Sequence, residues 1–319
     1  MDETGRAQPI ARSGLPLITV VVFVRNALTT IAHALDSVVA QTQPGVELLV
    51  LDGGSVDGTV EVIRRYEDKI AFWRSAPDGG PTAAINEGVA RAAGDVICLL
   101  PADDWLEPGA LQTVADAFAA DPDLDVLSCG TRIVHFEPDG TMCEDTRFTS
   151  PDILEFNMRN LVRYPLTAGR FMRRRVYQRM DGHSSDHTFG DFDFLVRVRL
   201  AGVKSRVLPK LTYTYRRHSG SRTFSGNAEV VFALMRHNIT MASDYLSSGR
   251  LSSADRRALL GLHGRSSARY AWMLLRRGEI REALKTVVEA MRWNWAWLAL
   301  VPAWMMCSRF GRMRFARME

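Results

Sequence analysis

The sequence lacks the cysteine patterns of metal-binding and redox proteins. Its four cysteines, at positions 98, 129, 143 and 307 of 319 residues, show none of the paired spacings of zinc or redox sites. We therefore expect reduced thiols in an intracellular protein. The first 14 residues are polar and contain two glycines and a proline, so no secretory signal is visible there. A flexible tail is predicted for residues 1–14.

Signatures of several other protein classes are also missing. No Gly-x-Gly-x-x-Gly follows the first predicted strand, which disfavours a dinucleotide-binding oxidoreductase. A basic, glycine-rich activation loop near the N-terminus is absent too, and this disfavours a nucleotidyltransferase that makes activated sugars. No repeat of the kind found in solenoid proteins is present. What remains is a globular chain of ordinary composition, long enough for one or two domains.

The chain does contain a regular alternation of apolar strands and amphipathic helices. Strands are predicted at residues 17–24, 48–51, 70–74, 96–100, 125–136 and 208–217. Helices are predicted between them, within residues 186–201, and throughout the region from 228 onward, where 268–276 and 280–291 resemble a helical hairpin split by Gly278. This order predicts an α/β fold with a mostly parallel sheet, helices on both faces and a helical C-terminal extension.

Two of the predicted strands end in carboxylates. Four apolar residues, 48–51, stop at Asp52, and two glycines follow that permit a tight turn and close approach of a ligand to the backbone. The strand at 96–100 is followed by Asp103 and Asp104. Because open α/β sheets bind ligands at the carboxyl ends of their strands, these acids predict one acidic crevice that faces a ligand.

Four motifs together resemble a known family. They are Asp52-Gly-Gly-Ser-Val-Asp-Gly-Thr59, the Asp78-Gly-Gly loop, Ala92-Ala-Gly-Asp-Val and Ala102-Asp-Asp-Trp105. Over residues 17–220 the chain resembles the family 2 glycosyltransferases of the GT-A fold, and most of all the branches that build bacterial surface polysaccharides. The resemblance implies a Rossmann-like GT-A domain over 15–225, with 226–319 as the helical extension. It also implies inverting transfer of a sugar from a nucleoside diphosphate, expected to be UDP, to a glycan or lipid-linked acceptor hydroxyl.

The resemblance further implies a divalent cation, Mn²⁺ or Mg²⁺. Such an ion is usually held by one or two carboxylates plus the phosphates of the substrate. Asp103 matches the last carboxylate of the family's Asp-x-Asp motif, Asp104 is a second candidate ligand, and His218 is a third. Pro101 stands at the first position of that motif, a departure that leaves a tight metal site in doubt. Alternatively, the two acids form a solvated turn and His218 is a surface residue.

The resemblance also names a set of donor-binding residues. The set comprises Phe23, Arg25, Asn26, Asp52, Gly54, Asp78, Gly80, Asp103, Arg216 and Arg217. Asp52 matches the residue that contacts the base or ribose, and a carboxylate can accept hydrogen bonds from a uracil imide or a ribose hydroxyl. Arg216 and Arg217 are candidates to neutralise the diphosphate. The alternatives are ordinary turn residues at Asp52, Asp78 and Gly80.

A base is expected in the segment Phe189-Gly-Asp-Phe-Asp-Phe-Leu-Val-Arg197. Asp191 matches the family's catalytic base, although Gly190 stands where Ala or Glu is usual. Asp193 is the alternative base or a helix cap, and both acids could simply favour a helix N-terminus. The family resemblance thus requires Asp52, Asp103 and Asp191 to gather around one hollow of pyrophosphate size.

The charge is unevenly distributed. Residues 250–319 carry fourteen Arg and Lys against five Asp and Glu, whereas the rest of the chain has a net charge of −5. The stretch 293–308 is uncharged and contains four tryptophans, but with Pro302 inside it is shorter than the ~20 residues of a spanning helix. A basic tail with tryptophans predicts peripheral contact with the inner face of the plasma membrane. A buried helix or a dimer contact is the alternative, and nucleic acid is not an expected partner.

Overall fold

The computed structural model describes residues 15–42, 45–184, 189–218, 220–221, 227–249 and 251–293. These residues divide into two units. The first unit contains 15–156, 164–184 and 190–218, and the second contains 157–163, 189, 220–221 and the helices from 228 to 293. The predicted tail at 1–14, the boundary near 225 and the tryptophan-rich stretch after 293 lie outside the described residues and stay predictions.

A single sheet forms the centre of the first unit. Its nine described strands are β1 Ile18–Val24, β2 Val46–Asp52, β3 Phe72–Ser75, β4 Val96–Pro101, β5 Trp105–Leu106, β6 Val126–Phe136, β7 Met142–Phe148, β8 Arg170–Arg173 and β9 Ser205–Arg216. The order is β3-β2-β1-β4-β8-β6-β9-β5, and β7 pairs with residues 131–136 of β6, past the short pairing of β6 with β8. The first four strands in that order are parallel, as predicted, and β6 and β9 are parallel too. Strands β5, β7 and β8 add antiparallel pairs that the sequence did not reveal.

Eleven α-helices lie in the described part of the chain. They are α1 Ile31–Val39, α2 Thr59–Arg64, α3 Pro81–Arg91, α4 Ala110–Ala119, α5 Pro151–Leu154, α6 Met158–Arg163, α7 Arg174–Met180, α8 Gly190–Leu200, α9 Ala228–Ser247, α10 Ser253–Arg276 and α11 Ile280–Trp293. All except α6, α9, α10 and α11 belong to the first unit. The helices predicted between the strands, and the helix predicted within residues 186–201, are confirmed to within a few residues at their ends.

Strands β1 and β2 lie in the core of the first unit. Val20, Val21 and Val22 are consecutive, and none of them has any exposed surface. Because successive side chains of a strand point to opposite faces, consecutive burial means that both faces of β1 are covered. The same holds for Leu49, Val50 and Leu51 of β2. The apolar runs in the sequence therefore correspond to strands buried on both sides.

The motif at 92–95 closes the amino-terminal edge of the sheet. A Cβ at Gly94 would lie 2.5 Å from Thr19 Oγ1 and 2.7 Å from the Thr19 nitrogen, so only glycine fits. The buried Glu47 carboxylate accepts hydrogen bonds from Thr19 Oγ1 (2.5 Å) and from the Ala93 amide (2.8 Å). This motif therefore stabilises the start of β1 and β2, at the end opposite to Asp52.

The opposite edge brings the candidate site together. In the parallel register, Val24 of β1 pairs with Asp52 of β2, and Phe23 pairs with Pro101 of β4. The turns that follow β1, β2 and β4 therefore leave the sheet side by side. This is the carboxyl edge, where the sequence predicted a ligand-facing crevice.

The second unit is helical, as predicted. Its helices α10 and α11 form the predicted hairpin, and Gly278 between them has a φ of 79°, a conformation that favours glycine. Ala271, Leu274 and Ala283 form a small buried cluster with Phe232 and Val287 packed against it. Among the described residues, no helix is both long enough and apolar enough to cross a bilayer.

Candidate active site

The Asp52 carboxylate organises the turn that follows β2. Its Oδ2 accepts hydrogen bonds from the amides of Gly54 (3.1 Å) and Ser55 (2.9 Å) and from Ser75 Oγ (2.5 Å). Its Oδ1 accepts a further short hydrogen bond from Ser55 Oγ. Asp52 has no exposed surface. These contacts support a structural role for Asp52 in holding the turn. Its direct contact with a nucleotide stays a prediction, and the burial of Asp52 disfavours it.

The turn after β1 is tied to the turn after β2. The Asn26 amide donates to Ser55 Oγ (2.7 Å), and Asn26 Oδ1 accepts from the Val56 amide (3.0 Å). Asn26 has a φ of 51°, so the chain reverses sharply there. Asn26 and the neighbouring Arg25 are exposed, and Phe23 is half-buried at the end of β1. The predicted walls of the donor pocket thus lie at the right edge, held by contacts within the chain.

Arg74, which the sequence reasoning missed, anchors the Asp78 loop. Its Nη1 donates to the carbonyls of Asp52 (2.8 Å) and Ala76 (3.1 Å), and its Nε donates to Glu87 on α3 (2.7 Å). This ion pair raises the pKa of the Arg74 guanidinium. The sequence offered one signal for this role. Arg74 is the last residue of a predicted strand and stands just before the loop that contains Pro77-Asp-Gly-Gly80.

The predicted donor loop packs on the glycines that follow β2. A Cβ at Gly53 would lie 3.2 Å from Asp78 Oδ1, and one at Gly54 would lie 3.0 Å from the Pro77 nitrogen. Gly54 has a φ of 80°, which also requires glycine. Asp78 accepts a hydrogen bond from the Gly80 amide at 2.8 Å, and the space around Gly80 is open. Gly54 thus shapes the turn, while the side of the loop at Gly80 is accessible.

The two acids after β4 have different surroundings. Asp104 is 1% exposed; its Oδ2 accepts a hydrogen bond from the Tyr213 hydroxyl (2.7 Å) and its Oδ1 accepts one from the Arg216 amide (2.9 Å). Burial, together with the charge of Asp103, raises the pKa of Asp104 well above the usual range. A buried carboxyl that favours its neutral form suits a structural role, so the geometry argues against Asp104 as a metal ligand.

Asp103 faces outward and meets His218. The Asp103 Oδ2 atom lies 2.8 Å from His218 Nε2, although 115 residues separate them in sequence. The Asp103 side chain is 31% exposed and that of His218 is 39% exposed. The structure therefore brings together two of the three predicted metal ligands, at the carboxyl ends of β4 and β9.

The two arginines after β9 also differ. Arg217 forms an ion pair with Asp145 on β7 through Nε (2.9 Å) and Nη2 (3.0 Å). The Arg216 guanidinium lies 4.8 Å from the centre of the Phe136 ring. Arg216 is next to the Asp103–His218 pair through its backbone contact with Asp104. The role of both arginines in neutralising phosphate stays a prediction.

Asp191 lies in the first turn of α8 and is exposed. Its Oδ1 accepts a hydrogen bond from the Phe192 amide (2.9 Å). A Cβ at the preceding Gly190 would lie 2.6 Å from the Ser184 carbonyl oxygen and 3.8 Å from Thr82 Oγ1. The start of α8 therefore packs beside the start of α3, directly after the Asp78 loop. The close approach to Ser184 explains why glycine stands where the family usually has Ala or Glu.

The alternative base, Asp193, has a structural position. It is 6% exposed and forms an ion pair with Arg197 (2.9 Å), which also donates to the carbonyls of Met180 and Gly182. His183 stacks on Phe194 beneath this helix, and burial lowers its pKa to about 4. These contacts hold α8 and thereby orient Asp191.

The exposed donor set fits a divalent cation that also binds phosphate. Asp103 offers a carboxylate and His218 an imidazole, and both side chains keep exposed surface. Oxygen ligands with few protein contributions are usual for Mg²⁺, and a mixed oxygen and nitrogen set also suits Mn²⁺. Asp104 does not extend this set, since both of its oxygens are engaged inside the protein.

Comparison with known proteins shows which family the chain resembles. A family profile described as Glycosyl transferase family 2 matches residues 19–181, just over half of the chain. The succinoglycan biosynthesis protein ExoO of Rhizobium meliloti is 25% identical over 290 residues, covering 88% of this chain and 83% of ExoO. An uncharacterized glycosyltransferase of Mycobacterium tuberculosis is 35% identical over 106 residues, which span 33% of this chain and 40% of that protein.

Solved structures share the fold. A mannosyltransferase from Pyrobaculum calidifontis, solved with GDP-Man and Mn²⁺, gives a TM-score of 0.58 at 19% identity and covers 94% of this chain and 81% of its own. Residues 1–349 of S. aureus TarS, solved with UDP-GlcNAc, give 0.56 at 17% identity and cover 86% and 89%. These likenesses confirm the predicted GT-A fold. The profile match, which covers just over half of the chain, shows that the chain belongs to glycosyl transferase family 2.

Proposed function

We propose that this enzyme transfers a sugar from a nucleoside diphosphate, expected to be UDP, to a hydroxyl of a glycan or lipid-linked acceptor, with inversion and with a divalent cation. The observation that carries the proposal is the contact between Asp103 and His218 at the carboxyl edge of the sheet. A carboxylate and an imidazole from distant parts of the chain meet in an exposed position there. Such a pair could hold Mn²⁺ or Mg²⁺ against a diphosphate.

The leaving group sets the first chemical requirement. When bound, the ion would neutralise charge on the departing diphosphate. Asp103 and His218 would hold it, and Arg216 could add positive charge from the end of β9, since guanidinium groups recognise phosphate well. The space around Gly80, just before the start of α3, is open. These groups support a donor position over the carboxyl edge.

Deprotonation of the acceptor is the second requirement. We assign the base to Asp191, because it is the exposed acid at the start of α8. The acceptor oxygen forms a bond to the anomeric carbon while the bond from that carbon to the phosphate oxygen breaks. The acceptor proton moves to the Asp191 carboxylate, and the electron pair leaves with the nucleoside diphosphate. Attack from the face opposite the leaving group gives inversion.

The comparisons support the class of donor and product but not their identity. The structural neighbours were solved with UDP-GlcNAc and with GDP-Man and Mn²⁺, and ExoO is named for succinoglycan biosynthesis. We therefore propose a UDP-sugar donor and a role in surface polysaccharide synthesis. Action at the inner face of the plasma membrane belongs to the same proposal, because a lipid-linked acceptor would be found there.

The base is tested by comparing Asp191→Asn with wild type. The reaction is followed as release of UDP from UDP-sugars in the presence of Mn²⁺. General-base catalysis contributes about 10²–10⁴-fold, so we expect a loss of that size in transfer. Asp139→Asn, at an exposed turn where Asp139 accepts a hydrogen bond from the Thr141 amide, is the matched control and should keep full activity. Equal rates for Asp191→Asn and wild type would contradict the assignment.

Donor and ion are tested by calorimetry. Wild type is titrated with UDP, GDP, ADP and CMP, each with Mn²⁺ and after treatment with EDTA. We expect UDP to bind and its affinity to fall when the ion is removed. Equal binding of UDP with and without the ion would contradict metal dependence, and preference for another nucleotide would replace the UDP assignment. Binding of UDP without turnover of any sugar donor would favour the alternative of an inactive nucleotide-sugar-binding module.

A further inference from the structure

Helix α11 of the second unit exposes a row of large apolar side chains. Ile280, Leu284 and Val288 are 59%, 60% and 54% exposed. They are spaced four residues apart, so each follows the last by about 40° around the helix and all three share one side. Among the described residues of the second unit, the exposed large apolar side chains all fall between positions 275 and 288. The exposure is thus concentrated in one place.

A different side of α11 packs against the protein. Ala283 and Ala290 are buried, and Ala283 belongs to the cluster that α11 forms with α10. At about 100° per residue these alanines lie roughly 80–140° from Leu284. The packing of α11 in its own unit therefore does not use the row formed by Ile280, Leu284 and Val288. An apolar row of this kind on a surface helix is typical of a contact with something outside the unit.

The cations of α11 lie beside this row, and one of them, Lys285, also forms an ion pair with Glu282 (3.9 Å). Arg281, Lys285 and Arg292 are exposed and lie about 60–100° from Leu284, on the flank away from the buried alanines. The acids Glu282 and Glu289 lie on the far side, about 140–160° from Leu284. We name the row and its three flanking cations, Arg281, Lys285 and Arg292, the basic apolar face.

We propose that the basic apolar face of α11 docks on an anionic lipid surface. A helix with an apolar side and flanking Lys and Arg lies in the plane of a membrane interface, with its apolar side chains among the acyl chains and its cations near lipid phosphates. The sequence that continues from α11 has the same character. Residues 294–319 contain Trp295, Trp297 and Trp304, four arginines and one acid.

Charge favours an anionic lipid surface over two other occupants of this face, a second copy of the chain and the stretch 294–319. In a symmetric dimer the same patch would meet itself, so the three cations of each face would approach one another. The stretch 294–319 has a net charge of +3 and would likewise bring positive charge to positive charge. An anionic membrane complements the face in both its apolar and its charged parts. The proposal does not depend on sugar transfer, so the two can fail separately.

The test measures co-sedimentation of the full-length protein with vesicles. One set is phosphatidylcholine alone, and the other contains phosphatidylglycerol as a minor component. We expect binding to the anionic vesicles that weakens with salt. The triple variant Ile280→Ser, Leu284→Ser, Val288→Ser should bind at least about tenfold more weakly, as should Arg281→Gln, Lys285→Gln, Arg292→Gln. All six side chains are exposed, so both variants should keep the wild-type circular dichroism spectrum.

Controls separate the competing explanations. Val39→Ser removes another exposed apolar side chain, on α1, and should bind vesicles as wild type does. UDP-sugar turnover in the absence of vesicles should be unchanged in every variant. No binding by wild type, or equal binding by the Ile280, Leu284, Val288 variant, would overturn the proposal. Vesicle binding that is lost in the triple variant Trp295→Ser, Trp297→Ser, Trp304→Ser but kept in the Ile280, Leu284, Val288 variant would also overturn it. The same holds if wild type is a dimer that binds no vesicles and the Ile280, Leu284, Val288 variant is a monomer.

Discussion

Asp52 is the last residue of β2 and Asp103 follows β4, so both lie at the same edge of the sheet, on either side of β1, yet their surroundings differ. Asp52 accepts four hydrogen bonds from groups within 23 residues of it, in the turn after β2 and at the last residue of β3, and it is fully buried. Asp103 keeps exposed surface, and the contact that defines its position comes from His218, far along the chain. The Asp52 carboxylate stabilises the chain at this edge of the sheet, whereas the Asp103 carboxylate faces the solvent.

The difference shows what decides the use of an acid at the end of a strand. Asp52 is followed at once by small residues with free amides, and Ser55 and Ser75 supply hydroxyls, so local donors saturate it. The residue after Asp103 is Asp104, which turns inward to Tyr213 and leaves Asp103 on the outside. The neighbouring donors, rather than the position at the strand end, separate the structural acids from the exposed one.

Replacing the two acids after β4 one at a time tests most directly whether an exposed and a buried acid have different roles. Asp103→Asn should lower kcat/KM by about 100- to 1,000-fold, about 2.7–4 kcal/mol, because it weakens the site that neutralises the leaving group. Asp104→Asn should change kcat/KM by less than about threefold, since an amide can replace a neutral carboxyl at a buried site. Steady-state rates across a Mn²⁺ titration check both. Similar losses in the two variants would contradict the division of roles.

The pH dependence of stability tests the buried member of this pair, Asp104. The pKa of Asp104 is raised in the folded state, so its contribution to stability is greatest below its ordinary value near 3.8 and is lost as pH rises through its folded pKa. Asp104→Asn removes this loss. Its melting temperature, relative to wild type, should therefore be higher at pH 8 than at pH 4. A difference that is constant across this range would contradict the raised pKa.

A smaller effect is expected at Asp52. Asp52→Ala leaves two amides and two hydroxyls without their acceptor, and we expect a loss of about 2 kcal/mol in the free energy of unfolding. Chemical denaturation measures it. UDP affinity should fall as well, because the turn loses its support. Ser75→Ala distinguishes the two roles: it should also weaken UDP binding if Asp52 acts through the turn, whereas an unchanged affinity would favour direct contact with the nucleotide.

Much of the fold could be predicted from local patterns. The runs at 17–24, 48–51 and 96–100 are apolar and β-branched, and they became the parallel strands β1, β2 and β4. The antiparallel strands escaped notice for physical reasons. Strand β7 is mostly polar and exposed, β8 is a four-residue segment within a basic stretch, and β5 has two residues. Such segments acquire their structure from the strand they pair with, which no local period reveals.

The site could be predicted in part. The family pattern located Asp103, His218 and Asp191, and the structure brings the first two together. The inward turn of Asp104 could not be predicted, because its partner Tyr213 lies 109 residues away. The pairing of Arg217 with Asp145 depends in the same way on β7, which was not predicted. Contacts between distant segments decide which of two adjacent polar residues stays exposed.

The smallest expected effect distinguishes the two arginines after β9. Arg216→Gln should lower kcat/KM by about tenfold, about 1.4 kcal/mol, if the Arg216 guanidinium helps to neutralise the leaving diphosphate as proposed. Arg217→Gln is the matched control, since it removes the same charge from the next residue but breaks an exposed ion pair with Asp145. Such pairs contribute about 0–1 kcal/mol to stability, so activity should stay within about twofold of wild type. Raising the salt concentration should narrow the gap between the variants if the Arg216 effect is electrostatic. If Arg217→Gln proved the more damaging of the two, the ion pair with Asp145 would have to open when the donor binds.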